Sequence, residues 1–395
     1  MSDRDVVVLS AVRSAIGSFG GGLSDTEPAD LAGMVMKEAV SRSAVDPNQI
    51  NYVTVGNCIP TESRYPYVAR VAAIQAGLSM DSVAMAVNRL CSSGLQAVVT
   101  TAQNILLGDC EYGVGGGVEV MSRGAYLSPA MRSGARMGDT KMLDGMVAAL
   151  TDPFGVGHMG VTAENLAEKW NITREEQDEL AAESHRRAAA AIEEGRFKEQ
   201  IVPIVKKTRK GEVTVDTDEH VKPGTTVEKL AGMRPAFKKD GGTVTAGNAS
   251  GINDGAAFLV LAEAEAARTA GATPMARLVS YAVAGVPNEI MGEGPIPATR
   301  MALKKGGLKL DEMDVIESNE AFAAQAIAVA RGLEFDLKKV NPNGGAIALG
   351  HPIGCSGAFL ATKAIYELKR TGGRYALVTM CLGGGQGIAA VFERL

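Results

Sequence analysis

The chain of 395 residues is poor in aromatic side chains, at 5% with a single tryptophan, and holds only four histidines. Acid–base chemistry near neutral pH therefore has few candidates, since histidine is the side chain whose ordinary pKa lies closest to neutrality. The five cysteines, Cys58, Cys91, Cys110, Cys355 and Cys381, are odd in number and form no CxxC pair. That pattern excludes a disulfide scaffold and a thiolate zinc site, and it suits a reducing compartment. Basic charge is not in excess either: the net charge of -5 argues against a nucleic-acid partner. No apolar run approaches the roughly 20 residues that cross a bilayer, so no membrane partner is expected. No GxGxxG with a following acidic residue and no GxxxxGK[ST] occurs, which removes dinucleotide and nucleotide-hydrolysis chemistry. The first residues, MSDRDVVVLS, pass from charge straight into a strand, and the closing FERL is no peroxisomal address. A cytoplasmic location is the expectation.

The length exceeds what one core usually serves, so two or three units are expected. Strand patterns at 5–11, 51–56, 82–87 and 111–117 alternate with helical patterns near 28–41, 67–76 and 92–107. Such alternation implies an α/β fold with a largely parallel sheet covered on both faces. SVAMAV at 82–87 reads as a buried strand, and EYGVGGG at 111–117 as a strand entering a glycine-rich turn. From about 121 to 247 the texture changes to methionine, glycine and charge, including a charged helix over 174–194 capped at Thr173 and reading as a solvated face. An inserted subdomain is implied.

The last third repeats the first. LDEMDVIESNEAF resembles DPNQINYVTVGNCIP, each placing an Asn after a strand, and CSG at 355–357 opens a helix leading to GGG at 383–385 much as Cys91 opens one leading to GGG at 115–117. Two similar α/β halves follow, with helix N-termini able to face one another.

Cys91 ends an apolar strand and begins a small-residue helix, NRLCSSGLQA, so the helix terminus is expected to stabilise its thiolate, the nucleophilic form. His351 lies in the rigid glycine-flanked turn of NPNGGAIALGHPIGCSG, where backbone can approach a ligand and a near-neutral base is at hand. Cys381 starts CLGGGQG, whose backbone N–H groups could face an oxyanion. Composition alone leaves open which cysteine attacks and which abstracts.

Six motifs in order, NRLCSSG, GHMG at 157–160, TAGNASGINDGAA at 245–257, SNEAFAAQA at 318–326, GGAIALGHPIGCSGA at 344–358 and CLGGGQG at 381–387, resemble those of the thiolases, in particular the biosynthetic acetoacetyl-CoA type. The resemblance implies duplicated α/β halves with a central layer of helices between two mixed sheets, plus an inserted loop domain. The expected bounds are 1–120 for the first half, completed by about 248–274, then 121–247 for the loop domain and 275–395 for the second half. It also implies a ping-pong Claisen chemistry on CoA thioesters: condensation of acetyl-CoA with acetyl-CoA or a short acyl-CoA to acetoacetyl-CoA or a short 3-ketoacyl-CoA, and the reverse thiolysis. CoA enters only as part of substrate and product, with no other cofactor and no metal, and a homotetramer built as a dimer of dimers is expected.

By motif, the resemblance makes Cys91 the acylated nucleophile, His351 its activator, Cys381 the α-proton base and Asn319 the holder of a water that forms one oxyanion hole with His351. Backbone N–H groups of Cys91 and Gly383 form the other. Ser250 and His158 approach pantetheine and thioester, while Leu150, Met159, Phe237, Ala246, Met291 and Phe322 line the slot. Lys206, Lys207, Arg209 and Lys210 either attract the 3′-phosphate or form a solvated turn. Lys222 stands where the subgroup often has arginine beside the adenine, which replaces a stacking plane by a point charge. Gly157, where an aromatic commonly precedes the histidine, enlarges the pocket, and CIPTESRYPY at 58–67 resembles the broader β-ketothiolases. Cys355, where Ala or Thr is usual, is read as a packing residue. A β-ketoacyl synthase shares the nucleophile but needs a second active-site histidine, and a degradative 3-ketoacyl-CoA thiolase with longer-chain substrates is the nearer alternative. A catalytically silent CoA-binding scaffold would need none of the paired thiols.

Overall fold

The computed structural model describes residues 4–208 and 211–395. Nine strands carry the main path of the sheet: β1 (Val6–Ser14), β2 (Tyr52–Gly56), β3 (Val83–Val87), β4 (Tyr112–Val120), β5 (Asn253–Glu263), β6 (Ala276–Gly285), β7 (Val315–Ser318), β8 (Tyr375–Leu382) and β9 (Gln386–Arg394). The helices of eight or more residues are α1 (Pro28–Arg42), α2 (Val68–Gln75), α3 (Ser93–Leu107), α4 (Met159–Lys169), α5 (Arg174–Glu193), α6 (Pro295–Gly306), α7 (Ala323–Leu333) and α8 (Ile353–Thr371).

The strand order is β7-β8-β9-β6-β1-β5-β4-β2-β3. It divides into a first half, β3-β2-β4-β5-β1, and a second, β6-β9-β8-β7, which meet only where Val7 and Val8 pair with Arg277 and Ala276. Both halves are mixed: β2 runs parallel to β3 and β4, and β7 parallel to β8, while β5 and β9 return antiparallel. Helices α3 and α8 pack on each other between the halves, and α8 touches strands of both. The burial of α8 explains that place. Nearly every residue from Ile353 to Leu368 is inaccessible, and a helix apolar on all sides has to lie inside. Its one buried cation, Lys363, is held by Glu317 at 2.8 Å and by the carbonyl of Gly344 at 2.6 Å.

The glycine-rich stretch at 115–117 departs from the expected turn: all three glycines lie inside β4. The reason is close packing. A Cβ on Gly115 would sit 2.7 Å from the Cα of Val98 on α3, and one on Gly117 would sit 2.0 Å from the carbonyl oxygen of Gly354 on α8. The second triplet, 383–385, does make the turn, between β8 and β9. SVAMAV also departs from expectation, since β3 is the edge of the sheet and Val83 and Met85 are exposed on this single chain. An apolar run marks a strand but does not say which of its faces is covered.

Among the described residues between 121 and 247 the chain adds only Ile201–Val202 to the large sheet, beside Arg13 and Ser14, and otherwise forms helices, a small hairpin of Ile204–Thr208 with Gly211–Val215 and a two-residue pairing of Tyr126–Leu127 with Leu143–Asp144. A fully buried pair ties this region down: Arg13 bonds Asp218 with two parallel N–H donations at 2.6 and 2.8 Å, its guanidinium lying over Phe197 and Phe359. Helix α5 is capped as expected, with a reciprocal Thr173–Glu176 box. It is not simply a solvated face, however, because Gln177, Asp178, Ser184 and His185 are buried against its neighbours.

Candidate active site

Cys91 sits on a tight turn, Leu90–Ser92, one step before α3. Leu90 is held at a φ of +47°, a conformation unusual for a branched side chain, and this turn sends the thiol toward the second half. The N–H groups of Gly383 and of Cys91 itself face the sulfur and pull its pKa down, but burial outweighs them and pushes it up to about 11. The expectation that the helix terminus alone stabilises a thiolate is thus corrected: the resting group is a thiol and needs a base. Cys381, at the end of β8, is fully buried, and burial together with the neighbouring Cys91 raises its pKa well above the usual thiol range. The two sulfurs therefore share one site.

His351 is the candidate base. It follows Gly350, whose φ of +101° and lack of a Cβ let Asn253 come close enough for its Oδ1 to accept the His351 N–H at 3.0 Å. The ring is held at both nitrogens. Nδ1 lies 2.6 Å from Ser356 Oγ, whose own proton goes to the Pro352 carbonyl at 2.9 Å, so Nδ1 is the donor. Asn319 donates through Nδ2 to Nε2 at 3.3 Å, so the ring's one basic nitrogen is the one held against Asn319. Burial lowers the imidazole pKa to about 4, so it is neutral and competent to accept a proton. Asn319 Oδ1 is buried and has no partner among the described residues. Ser356 and Asn253 were not singled out from sequence, although both lie inside the quoted motifs.

Two apolar clusters flank the thiols. Met159, Phe237, Met291 and Phe322 gather around Cys381, and His158 stacks on Phe237 with ring centroids 4.7 Å apart. Leu150 belongs to the other cluster, with Cys58, Ile59, Met121 and Ile353 beside Cys91. Ser250 reaches the site through a backbone bond to the Ala321 carbonyl at 3.0 Å. His158 caps α4 by accepting the Gly160 N–H at 3.0 Å, following Gly157 at a φ of +109°. A Cβ on Gly157 would touch only Val161 at 3.7 Å, so the wall there is open and the backbone itself favours glycine. Ala246 and Lys222 are exposed and pack with neither cluster. Lys206 pairs with Asp25 and the Gly22 carbonyl, and Arg209 and Lys210 lie outside the described residues. Cys355 is buried in the core beside α3, as a packing residue would be.

Family models for the N-terminal and C-terminal thiolase domains match residues 6–265 and 272–394. The chain belongs to the thiolase family. It is 57% identical to the beta-ketothiolase BktB of Cupriavidus necator, over 99% of this chain and all of that one, and 49% identical to the acetyl-CoA acetyltransferase of Escherichia coli, again over 99% and 100%. Among solved structures the acetyl-CoA acetyltransferase of Bacillus anthracis superposes with a TM-score of 0.97 at 47% identity, both chains covered in full. Human mitochondrial 3-ketoacyl-CoA thiolase superposes at 0.96 with 44% identity, covering 99% of each. In this thiolase a further buried group stands beside the nucleophile. Glu119 accepts N–H bonds from Asn57 Nδ2, Cys58, Ile59 and Gly354 at 2.9–3.1 Å and has no cation partner, and burial lifts its pKa to about 7. Sequence reading passed over it because an acidic residue after a glycine run looks like a loop residue.

Proposed function

We propose that this thiolase is an acetyl-CoA C-acyltransferase acting on short chains. His351 takes the proton of Cys91 as its sulfur attacks the thioester carbonyl of acetyl-CoA, and the carbonyl oxygen receives the N–H groups of Cys91 and Gly383. The CoA thiolate leaves with the proton of Cys381, which burial has kept a neutral thiol. Acetyl-Cys91 and a Cys381 thiolate remain. A second acetyl-CoA then loses an α-proton to Cys381, its enolate oxygen faces His351 and Asn319, and the enolate carbon displaces Cys91, which recovers its proton from His351. Atoms and charge balance over the two half-reactions, and thiolysis is the same path reversed.

The observations that carry this reading are the imidazole locked between Ser356 and Asn319 and the closeness of the two thiols, Cys91 and Cys381. No resident cofactor or metal is invoked, CoA being part of substrate and product, with its pantetheine lying along His158, Met159, Phe237, Ser250, Met291 and Phe322 and its adenine end near Lys222 and Ala246. Two separate apolar surfaces, the β3 edge and the arm carrying Tyr126, Met131, Met137 and Met142, are exposed. Two self-complementary contacts are what a dimer of dimers requires, so a cytoplasmic homotetramer fits this reading.

Steady-state comparison of four- and five-carbon 3-ketoacyl-CoA substrates tests the chain length. The open wall at Gly157 leads us to expect turnover within about tenfold, roughly 1.4 kcal/mol in transition-state binding. A 10³-fold preference for four carbons defeats the broad reading, and a steep rise toward long chains favours the degradative one.

A further inference from the structure

The catalytic loop Ser318–Glu320 is held from behind by groups that take no part in the chemistry above. Residues 339–341 run parallel beside β7: the N–H of Ile316 donates to the Lys339 carbonyl at 2.9 Å, and that of Asn341 to the Ile316 carbonyl at 2.8 Å. At the next rung backbone pairing stops and the Asn341 side chain replaces it. Its Oδ1 accepts the Ser318 N–H at 3.0 Å, and its Nδ2 donates to the Ser318 carbonyl at 2.8 Å and to Glu320 Oε1 at 2.7 Å. One amide thus grips the residues on both sides of Asn319. The backbone turns there through a φ of +44° at Asn341, a conformation that asparagine tolerates better than most residues.

Glu320 extends the grip to the histidine turn. Its Oε2 accepts Ser184 Oγ at 2.7 Å and the Ile347 N–H at 3.3 Å, and Ser184 Oγ in turn accepts the Gly345 N–H at 3.0 Å. Residues 346–349 form the short helix that runs directly into Gly350 and His351. A Cβ on Gly345 would overlap the Glu320 carboxylate, so the fit depends on glycine there. Ser318–Glu320 and the approach to His351 are therefore fastened to the same carboxylate, and that carboxylate to α5. Behind it a cavity of about 720 Å³ lies between α5 and α7, with Ser184, Glu320 and Asn341 on its wall. Of the loop, Glu320 alone reaches that wall, and its carboxylate is held there by hydrogen bonds.

We propose that Asn341 and Glu320, with Ser184, are positioning residues that set the distance between Asn319 and His351 and so the hole that receives the enolate oxygen. The inference rests on the assignment of Asn319 and His351 to that hole. A displacement of about 1 Å in such a group costs on the order of 10²-fold in rate.

The test uses Asn341→Gly, which keeps the backbone turn at no steric cost while removing the amide, and Ser184→Ala as a milder change at the far end. We expect Asn341→Gly to slow exchange of acetyl-CoA α-protons with deuterated solvent by about 10- to 100-fold, and Ser184→Ala by less, with KM little changed and acetylation of Cys91 by acetyl-CoA still complete. In an Asn319→Ala background the Asn341→Gly effect should largely vanish, a non-additivity that a loss of general stability would not produce. If Asn319→Ala itself leaves exchange intact, the assignment of the hole fails. If Asn319→Ala slows exchange but Asn341→Gly does not, or if the two losses simply multiply, the clamp is overturned and the assignment stands.

Discussion

The two halves place an asparagine at matching points and surround it differently. In β2 Gly56 lies opposite Gly117, in β7 Ser318 lies opposite Thr379, and each is followed by an asparagine, Asn57 and Asn319. Two residues further along the partner strands come Glu119 in the first half and Cys381 in the second. In the first half the constellation is closed: Asn57 donates to Glu119, and the remaining carboxylate capacity is filled by backbone N–H groups, including that of Gly354 on α8. In the second it is open: the Oδ1 of Asn319, like that of Asn57, has no partner among the described residues, but its Nδ2 meets the imidazole of His351 instead of a carboxylate, and Cys381 lies beside Cys91. One copy of the scaffold holds the halves together while the other presents reactive groups.

The sharpest way to break this comparison is to remove the nucleophile. Cys91→Ala should lower turnover by about 10⁴-fold or more, and mass spectrometry after incubation with acetyl-CoA should find no acyl adduct while CoA still binds. An adduct on Cys58, Cys110 or Cys355 would reassign the chemistry. Next in size is Cys381→Ala, for which condensation and α-proton exchange should fall by about 10²- to 10⁴-fold while Cys91 still becomes acetylated. Near wild-type exchange would make His351 the base and the openness of the second half irrelevant.

Ser356→Ala frees the imidazole tautomer without touching substrate. A loss of about tenfold in turnover, roughly 1.4 kcal/mol, is expected, and an unchanged rate would show that Asn319 alone orients the ring. The smallest effect on chemistry belongs to the closed half. Glu119→Gln sets an amide donor against existing N–H donors, so thermal unfolding should report a loss of about 1–3 kcal/mol with acylation retained. Its pH signature is distinctive. A carboxyl whose pKa rises from 4.5 to about 7 on folding binds its proton more tightly in the native state, so its contribution is full below pH 4.5 and is lost as pH rises through 7. Glu119→Gln should flatten that slope, and a slope unchanged in the variant would trace it to another group.

Much of the site was legible because its chemistry depends on unusual local sequence. His351 stood out among glycines, and Cys91 lay at a strand-to-helix junction, features that spacing alone reveals. The strand–Asn correspondence between 47–57 and 310–319 also survives in the structure, with a short 3-10 turn before each strand. The first glycine triplet misled, since Gly115–Gly117 answer to α3 and α8 packing across the strand and not to a turn, and sequence carries no sign of what approaches a backbone from another element. β3 misled for a similar reason, because the apolar pattern is the same whether a strand is covered or left at an edge.

By itself the sequence determined most of the element types and the candidates for the reactive groups, because periodicity, caps and glycine-bounded turns are local properties of the chain. Only the tertiary structure decided their states. That Cys91 rests as a thiol, that His351 is neutral with Nδ1 the donor, and that the neighbours of Asn319 are gripped by Asn341 follow from burial and from bonds between residues far apart in the chain, as with Asn341 on Ser318 (23 apart) and Glu119 on Gly354 (235 apart). Desolvation and hydrogen-bond geometry depend on what surrounds a group in space, and that is settled only when the two halves close on α3 and α8.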